Sequence, residues 1–174
     1  MSAGTRSWLK FFAIPVLLGW CVLVPIGGCA HVASTPGVPA RNATPLEKAL
    51  AYNDSLAQAN KAVAQVVINA NGTTPPLLST DQANKILIAQ SRIADFDRQL
   101  TPLLGTAGSV TANAGKIELL LDEIKAAANP LIQSGDLGIK DPKTQQEVLA
   151  AFKNVYGFAD LVANMLQQAG LLKP

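Results

Sequence analysis

From Thr44 to Ala169, apolar residues recur at alternating spacings of three and four, a period that suits helices and no other regular element. Thr44-Pro45-Leu46-Glu47 opens the first helix. Thr44 can accept from free backbone N–H groups, Pro45 suits a first position that needs no N–H bond, and Glu47 completes a capping box. The stripe Leu46, Ala49, Asn53, Leu56, Asn60, Val63, Val67 and Ala70 then runs to Asn71-Gly72, where the helix is expected to end. Ser79 and Gln82 repeat the capping logic for a second helix carrying Ala83, Ile86, Leu87, Gln90, Ile93, Ala94, Asp97, Leu100 and Leu104.

Pro102, Gly105 and Gly108 interrupt this pattern, which predicts a turn into a third helix from about Ala107 or Ser109; one long kinked helix is the alternative. The third helix presents Val110, Ala114, Ile117, Leu120, Leu121, Ile124, Ala128 and Leu131, and Pro130 bends or ends it. Asp141-Pro142 restarts a helix bearing Val148, Ala151, Phe152, Val155, Phe158, Ala159, Val162, Met165 and Leu166, closed by Gly170. Four amphipathic segments and no comparable strand-period stretch predict an all-α fold, an antiparallel up-down-up-down four-helix bundle over residues 45–171.

The chain ahead of the bundle is organised differently. Arg6 and Lys10 form a basic start, Phe11 to Ile26 an apolar run without an acidic residue, and Gly27-Gly28 a small-residue cleavage zone. Ile26-Gly27-Gly28-Cys29 resembles the lipobox of bacterial lipoproteins, with isoleucine where that class most often has leucine. The resemblance implies a signal peptide at residues 1–28, cleavage between Gly28 and Cys29, and fatty acyl chains on Cys29, the first mature residue. More than one chain matters, because a single chain binds a membrane only marginally at about 0.8 kcal/mol per buried methylene. The alternative is an uncleaved span: Phe11 to Gly28 is 18 residues, about 27 Å of helix, against roughly 30 Å of hydrocarbon. Residues 29–44, rich in Ala, Ser, Thr, Pro and Gly, read as a flexible tether.

Setting the leader aside removes both tryptophans, Trp8 and Trp20, and leaves 12 basic residues against 12 acidic ones, spread along the chain. A nucleic-acid footprint would be a basic cluster, so no nucleic-acid partner is expected. Cys21 lies in the apolar run and Cys29 in the lipobox, which leaves the bundle without a thiol for zinc or redox chemistry. His31, the one histidine, falls in the tether. With no Cys-x-x-Cys-His and no Glu-x-x-His pair, haem and di-iron centres lack ligands, so no metal and no cofactor are expected. A histidine-based triad and a Walker phosphate loop are excluded on the same grounds.

Several polar residues invite a functional reading. Glu118 and Asp122 share a helix face with Glu123 beside them, but two carboxylates on a straight helix fall short of a calcium site, and Lys125 points to a solvated face. Asp97 lies in an apolar stripe, where burial would make it a functional candidate; Arg92, Arg98 and Asp95 nearby favour an edge ion-pair cluster instead. Asn53 and Asn60 either fix helix register from inside the core or flank the stripe and face water, the second being the expectation. Asn71-Gly72-Thr73 and Asn42-Ala43-Thr44 match the glycosylation acceptor pattern by chance if the host is bacterial.

No set of converging polar groups marks an enzyme. The expectation is a non-catalytic, lipid-anchored cell-envelope protein whose bundle binds or scaffolds an envelope protein, with the membrane reached through Cys29. Its interface is sought on the last helix, at Phe152, Tyr156 and Phe158. The alternative is a small-molecule or lipid-binding bundle with an interhelical cavity. By resemblance to bacterial lipoproteins, Ala30 after the cysteine implies outer-membrane sorting in a two-membrane cell, with the domain facing the periplasm or the exterior.

Overall fold

In a computed structural model of the chain, Pro39 and residues 41–173 are described, all within the compact unit Val32–Pro174. They form five α-helices and one 3₁₀ turn, and no strand occurs among them.

Helix α1 spans Pro45–Asn71. Its start is the capping box expected from Thr44 and Glu47: the Glu47 N–H donates to Thr44 Oγ1 at 3.3 Å, and the Thr44 N–H donates to Glu47 Oε2 at 2.7 Å. At its end the Gly72 N–H donates to the Ile68 carbonyl at 3.0 Å. Helix α2, Thr80–Leu100, opens with the same reciprocal arrangement between Ser79 and Gln82. It tightens into a 3₁₀ turn at Thr101–Leu104, with Pro102 in the first positions, where proline's missing N–H costs no bond. Helices two and three of the sequence reading are therefore separate, joined through a turn.

The third segment is two helices rather than one. Helix α3 covers only Ala107–Ala112, and α4 runs Ala114–Ser134. Asn113 divides them at φ −119°. Its side-chain amide donates to the Ser109 carbonyl at 2.8 Å, and its backbone N–H reaches the Ser109 and Val110 carbonyls at 3.1 Å. Asparagine thus takes up the carbonyls that end α3 while its own carbonyl accepts from Ile117 to start α4. Pro130 does not end α4, which continues for another turn to Gly135 in the left-handed conformation at φ 61°. Helix α5, Pro142–Gln168, begins at Asp141, whose carboxylate accepts the Thr144 N–H at 2.7 Å.

Packing follows the apolar stripes. Helix α1 packs on α2 and on α5, and α4 packs on the same two, with α1 and α5 forming the most extensive pair. Leu56, Ile93, Leu104, Ile117, Ile124, Phe152 and Leu166 have no solvent exposure. Full burial of a side chain of this size contributes about 1.5–3 kcal/mol. Ala49, Ala128 and Ala159 are equally buried, and their small side chains bring helix backbones close. Leu78, Ile139 and Leu172, from the connections and the C-terminal end, seal the core. One stripe is offset: on α2, Ala89 is buried and Leu87 is exposed.

Candidate functional site

Among the described residues the core contains few polar side chains, and three of them, Asn53, Ser55 and Asn60, lie in α1. Asn53 and Asn60 are 2% and 3% exposed, which corrects the expectation that they face water. Their spacing puts both on the side of α1 that meets α2. Asn60 Nδ2 donates to the Gln90 carbonyl at 3.0 Å, and Asn53 Nδ2 donates to Thr101 Oγ1 at 3.0 Å. As the chain ascends α1 from 53 to 60, its partners descend from 101 to 90, so α1 and α2 run in opposite directions. Both amide nitrogens are thus paired across the α1–α2 contact, where an unpaired one would carry a desolvation cost.

Asp97 belongs to the same junction. The ion-pair cluster expected around it does not include it: Arg98 holds Asp95 at 3.1 Å on the outside of α2. Asp97 instead faces Asn53 and Thr101, and Thr101 Oγ1 donates to the Asp97 carbonyl at 2.9 Å. Burial raises the Asp97 carboxyl above its ordinary range, more than hydrogen bonds from Asn53 and Thr101 and the charge of Lys61 lower it; Asp54 adds to the rise. Thr101 gave no signal in the sequence beyond lying one turn after Asp97.

The acidic face of α4 is solvated as expected at Glu118, Asp122 and Glu123. Lys125 does more than neutralise it. Its ammonium lies 3.0 Å from Asp122 on its own helix and 3.3 Å from Asp160 on α5. Burial alone would lower its pKa, and the two carboxylates, Asp122 first, raise it instead. Among the described residues no group of three or more His, Cys, Asp or Glu is placed to hold a metal ion.

Surface hollows follow the helix junctions. One of about 300 Å³ lies between α4 and α5, bordered by Glu118, Asp122, Lys125 and Lys173 over a floor of Leu121 and Leu172. A second of about 300 Å³ lies between α2 and α4 at Arg92, Phe96 and Glu123. Another, of about 220 Å³, is beside Gln82, Lys85 and Asp136, where Gln82 Nε2 donates to the Gly138 carbonyl.

The aromatic residues of α5 do not form the exposed patch sought there. Phe152 is fully buried, and Phe158 stacks on Tyr52 of α1 with ring centroids 6.4 Å apart and planes 24° apart. Tyr156 is half-buried. Large apolar side chains open to solvent are on other helices: Ile68 on α1 (62%), Ile88 on α2 (56%) and Leu119 on α4 (59%). Cys29 and Gly28, where lipidation and cleavage are expected, lie outside the described residues. No helix among the described residues is long and apolar enough to cross a membrane.

Comparison with known proteins gives no match: no family model, no curated protein and no solved structure matches the chain.

Proposed function

We propose that the chain is a bacterial lipoprotein, cleaved before Cys29 and held to the cell envelope by acyl chains on that sulfur, whose helical domain is a non-catalytic interaction or scaffolding module. The observation that carries this reading is Ile26-Gly27-Gly28-Cys29 following a basic start and an apolar run. The domain behind it is read as an antiparallel up-down-up-down four-helix bundle of α1, α2, α4 and α5. Three sets of pairings support that topology: Asn53 with Thr101 and Asn60 with Gln90, Gln82 with Leu137 and Gly138, and Lys125 with Asp160. The module's partner is an envelope protein, and Ala30 after the lipid site favours the outer membrane where the host has two membranes.

Intact mass of the protein isolated from native membranes tests the anchor. The expected product begins at Cys29 and carries acyl mass on it, and Cys29→Ser leaves residues 1–28 in place. A wild-type product that begins at Met1, or one without acyl mass, overturns the reading. Cross-linking in intact cells followed by mass spectrometry tests the interaction role, with envelope proteins expected at sites on the exposed helix faces.

Lipid or small-molecule binding is the second reading, and the hollow between α4 and α5 favours it through its apolar floor of Leu121 and Leu172. Its rim of Glu118, Asp122, Lys125 and Lys173 suits a polar ligand better than an acyl chain, which places this reading second.

A further inference from the structure

The seam between α2 and α4 is hollow at two stations. One hollow, of about 220 Å³, has Lys85 and Ile86 on its α2 side and Pro130 and Leu131 on its α4 side. The other, of about 300 Å³, lies between Arg92 and Phe96 of α2 and Glu123, Ala126 and Ala127 of α4. Early residues of α2 are therefore beside late residues of α4, and the two hollows follow one another along a single groove. Lys85 and Arg92 are seven residues apart, which is two turns, so the stations are separated by about 10 Å. Large apolar side chains mark the same groove. Ile88, 56% exposed, stands on α2 between the stations, one turn before Arg92. Leu119, 59% exposed, stands one turn before Glu123 and extends the groove past the second station. Among the described residues, two of the four exposed large apolar side chains thus border this one groove, whereas apolar side chains scattered singly would carry no meaning.

At the stations the two walls differ in sign. Lys85 and Arg92 line the α2 wall and Glu123 the α4 wall, and among the described residues none of the three forms an ion pair. Asp136, just beyond α4, adds a second carboxylate on that side of the first station, where its Oδ1 accepts the Gly138 N–H at 2.7 Å. Lys116, three residues before Leu119, ends the acidic stretch.

We propose that this groove docks an amphipathic helix of the envelope partner, with apolar side chains at i and i+7 seated in the two hollows, acidic residues along the edge that meets α2 and basic residues along the edge that meets α4. It rests on the reading of the domain as an interaction module and supplies the partner's chemistry. A helix fits because two of its turns match the separation of the stations. An extended strand covers the same distance in about three residues, and its side chains at i and i+3 point to opposite faces, so it fills one hollow and not the other. An acyl chain would leave the charges on both walls unpaired. The opposed signs also set direction, since turning the docked helix end for end exchanges its edges and brings like charges together.

The test uses the full chain in lipid nanodiscs and a designed, labelled peptide of about 18 residues, long enough to hold a helix. The peptide carries leucines seven apart, glutamates along one edge and lysines along the other. Fluorescence anisotropy should show saturable binding beyond that to empty discs. Ile88→Ser, and Ala126→Trp, which fills the larger hollow, should each weaken it about tenfold; should Ala126→Trp fail to fold, Ile88→Ser decides. A photo-reactive group at the peptide's N-terminus should mark one end of the groove, and exchanging the charged edges should move the mark to the other end. Binding equal in wild type and Ile88→Ser, or a mark that stays in place, overturns the proposal. So does a dimer of the chain, seen by light scattering, that Ile88→Ser abolishes, since the occupant is then a second copy. Photo-cross-linking in cells from Ile88 and Ala126 separates the groove from the module reading. Capture there of a helix with the stated pattern supports the groove, capture of envelope proteins only at other faces overturns the groove alone, and capture at no face overturns both.

Discussion

Asn60 of α1 donates its side-chain amide to the backbone carbonyl of Gln90 on α2 at 3.0 Å, linking residues 30 apart in sequence. The amide oxygen of the same side chain is buried without a donor among the described residues, so the residue is retained at a cost. Register is the gain, since sliding α1 along α2 by one turn would strand the amide nitrogen as well. Replacing Asn60 by Ala should destabilise the domain by about 2 kcal/mol through the lost bond and the cavity. Replacing it by Leu should be close to neutral in stability, because it also removes the unpaired oxygen. Denaturant melts of the two variants check the contrast, and equal losses would count against a register role.

The aromatic pattern of α5 leads to a second comparison. Phe152 has no exposure, while Ile88 on α2 is 56% exposed. Phe152→Ala should cost about 3–5 kcal/mol, the range for a fully buried aromatic side chain. Ile88→Ser should stay within about 0.5 kcal/mol of the wild type. If Ile88 belongs to an interaction surface, cross-linking to envelope partners should fall in Ile88→Ser at unchanged thermal stability, an outcome Phe152→Ala cannot give.

What the sequence made legible was local. Thr44 with Glu47, Ser79 with Gln82, and Asp141 with Thr144 are bonds between residues three apart, so the caps were readable from spacing alone. Apolar stripes were readable for the same reason, apart from α2, where Leu87 and Ala89 exchange places because tertiary packing overrides size. The division at Asn113 was not readable, since neither glycine nor proline stands there and the break depends on one side chain bonding back to Ser109. Asn53 and Asn60 read as water-facing because polarity is visible in a sequence, whereas their partners are 48 and 30 residues away. Asp97 differs from its sequence reading for the same reason: its nearest charges in sequence pair with each other, and its neighbour Asn53 is on another helix. Cys29 remains a sequence-based assignment.

Acid sensitivity should come from the caps. Hydrogen bonds from Thr144 hold the Asp141 carboxyl below its ordinary value of 3.8, with Lys143 adding to the effect. Bonds from the Thr44 backbone and then its hydroxyl hold Glu47 below 4.5. For depressed carboxyls the stability is present above the unfolded value and lost as pH falls through the folded one. Helices α1 and α5 should therefore fray from their N-terminal ends below those values. Asp141→Asn keeps an acceptor for the Thr144 N–H and should remove the α5 share of the acid loss, read from amide exchange at Thr144 and Gln145 against pH.

Lys125 separates a bond along one helix from a bond between two. Asp122 lies three residues before it on α4 and is largely exposed, whereas Asp160 reaches it from α5 at 3.3 Å. The lysine itself is 23% exposed, so its contact with Asp160 is screened less than an ordinary surface pair. A double-mutant cycle between Lys125→Met and Asp160→Asn should give a coupling near the upper end of the range for exposed pairs, about 1 kcal/mol; the Asp122 cycle should give about 0.3 kcal/mol. Methionine keeps most of the aliphatic stem, so the cycle reports charge rather than packing. In about 1 M salt the Debye length falls to roughly 3 Å, and both couplings should shrink, Asp122's to nothing measurable. Equal couplings in the two cycles would mean that Lys125 only solvates the face of α4 and does not tie α4 to α5.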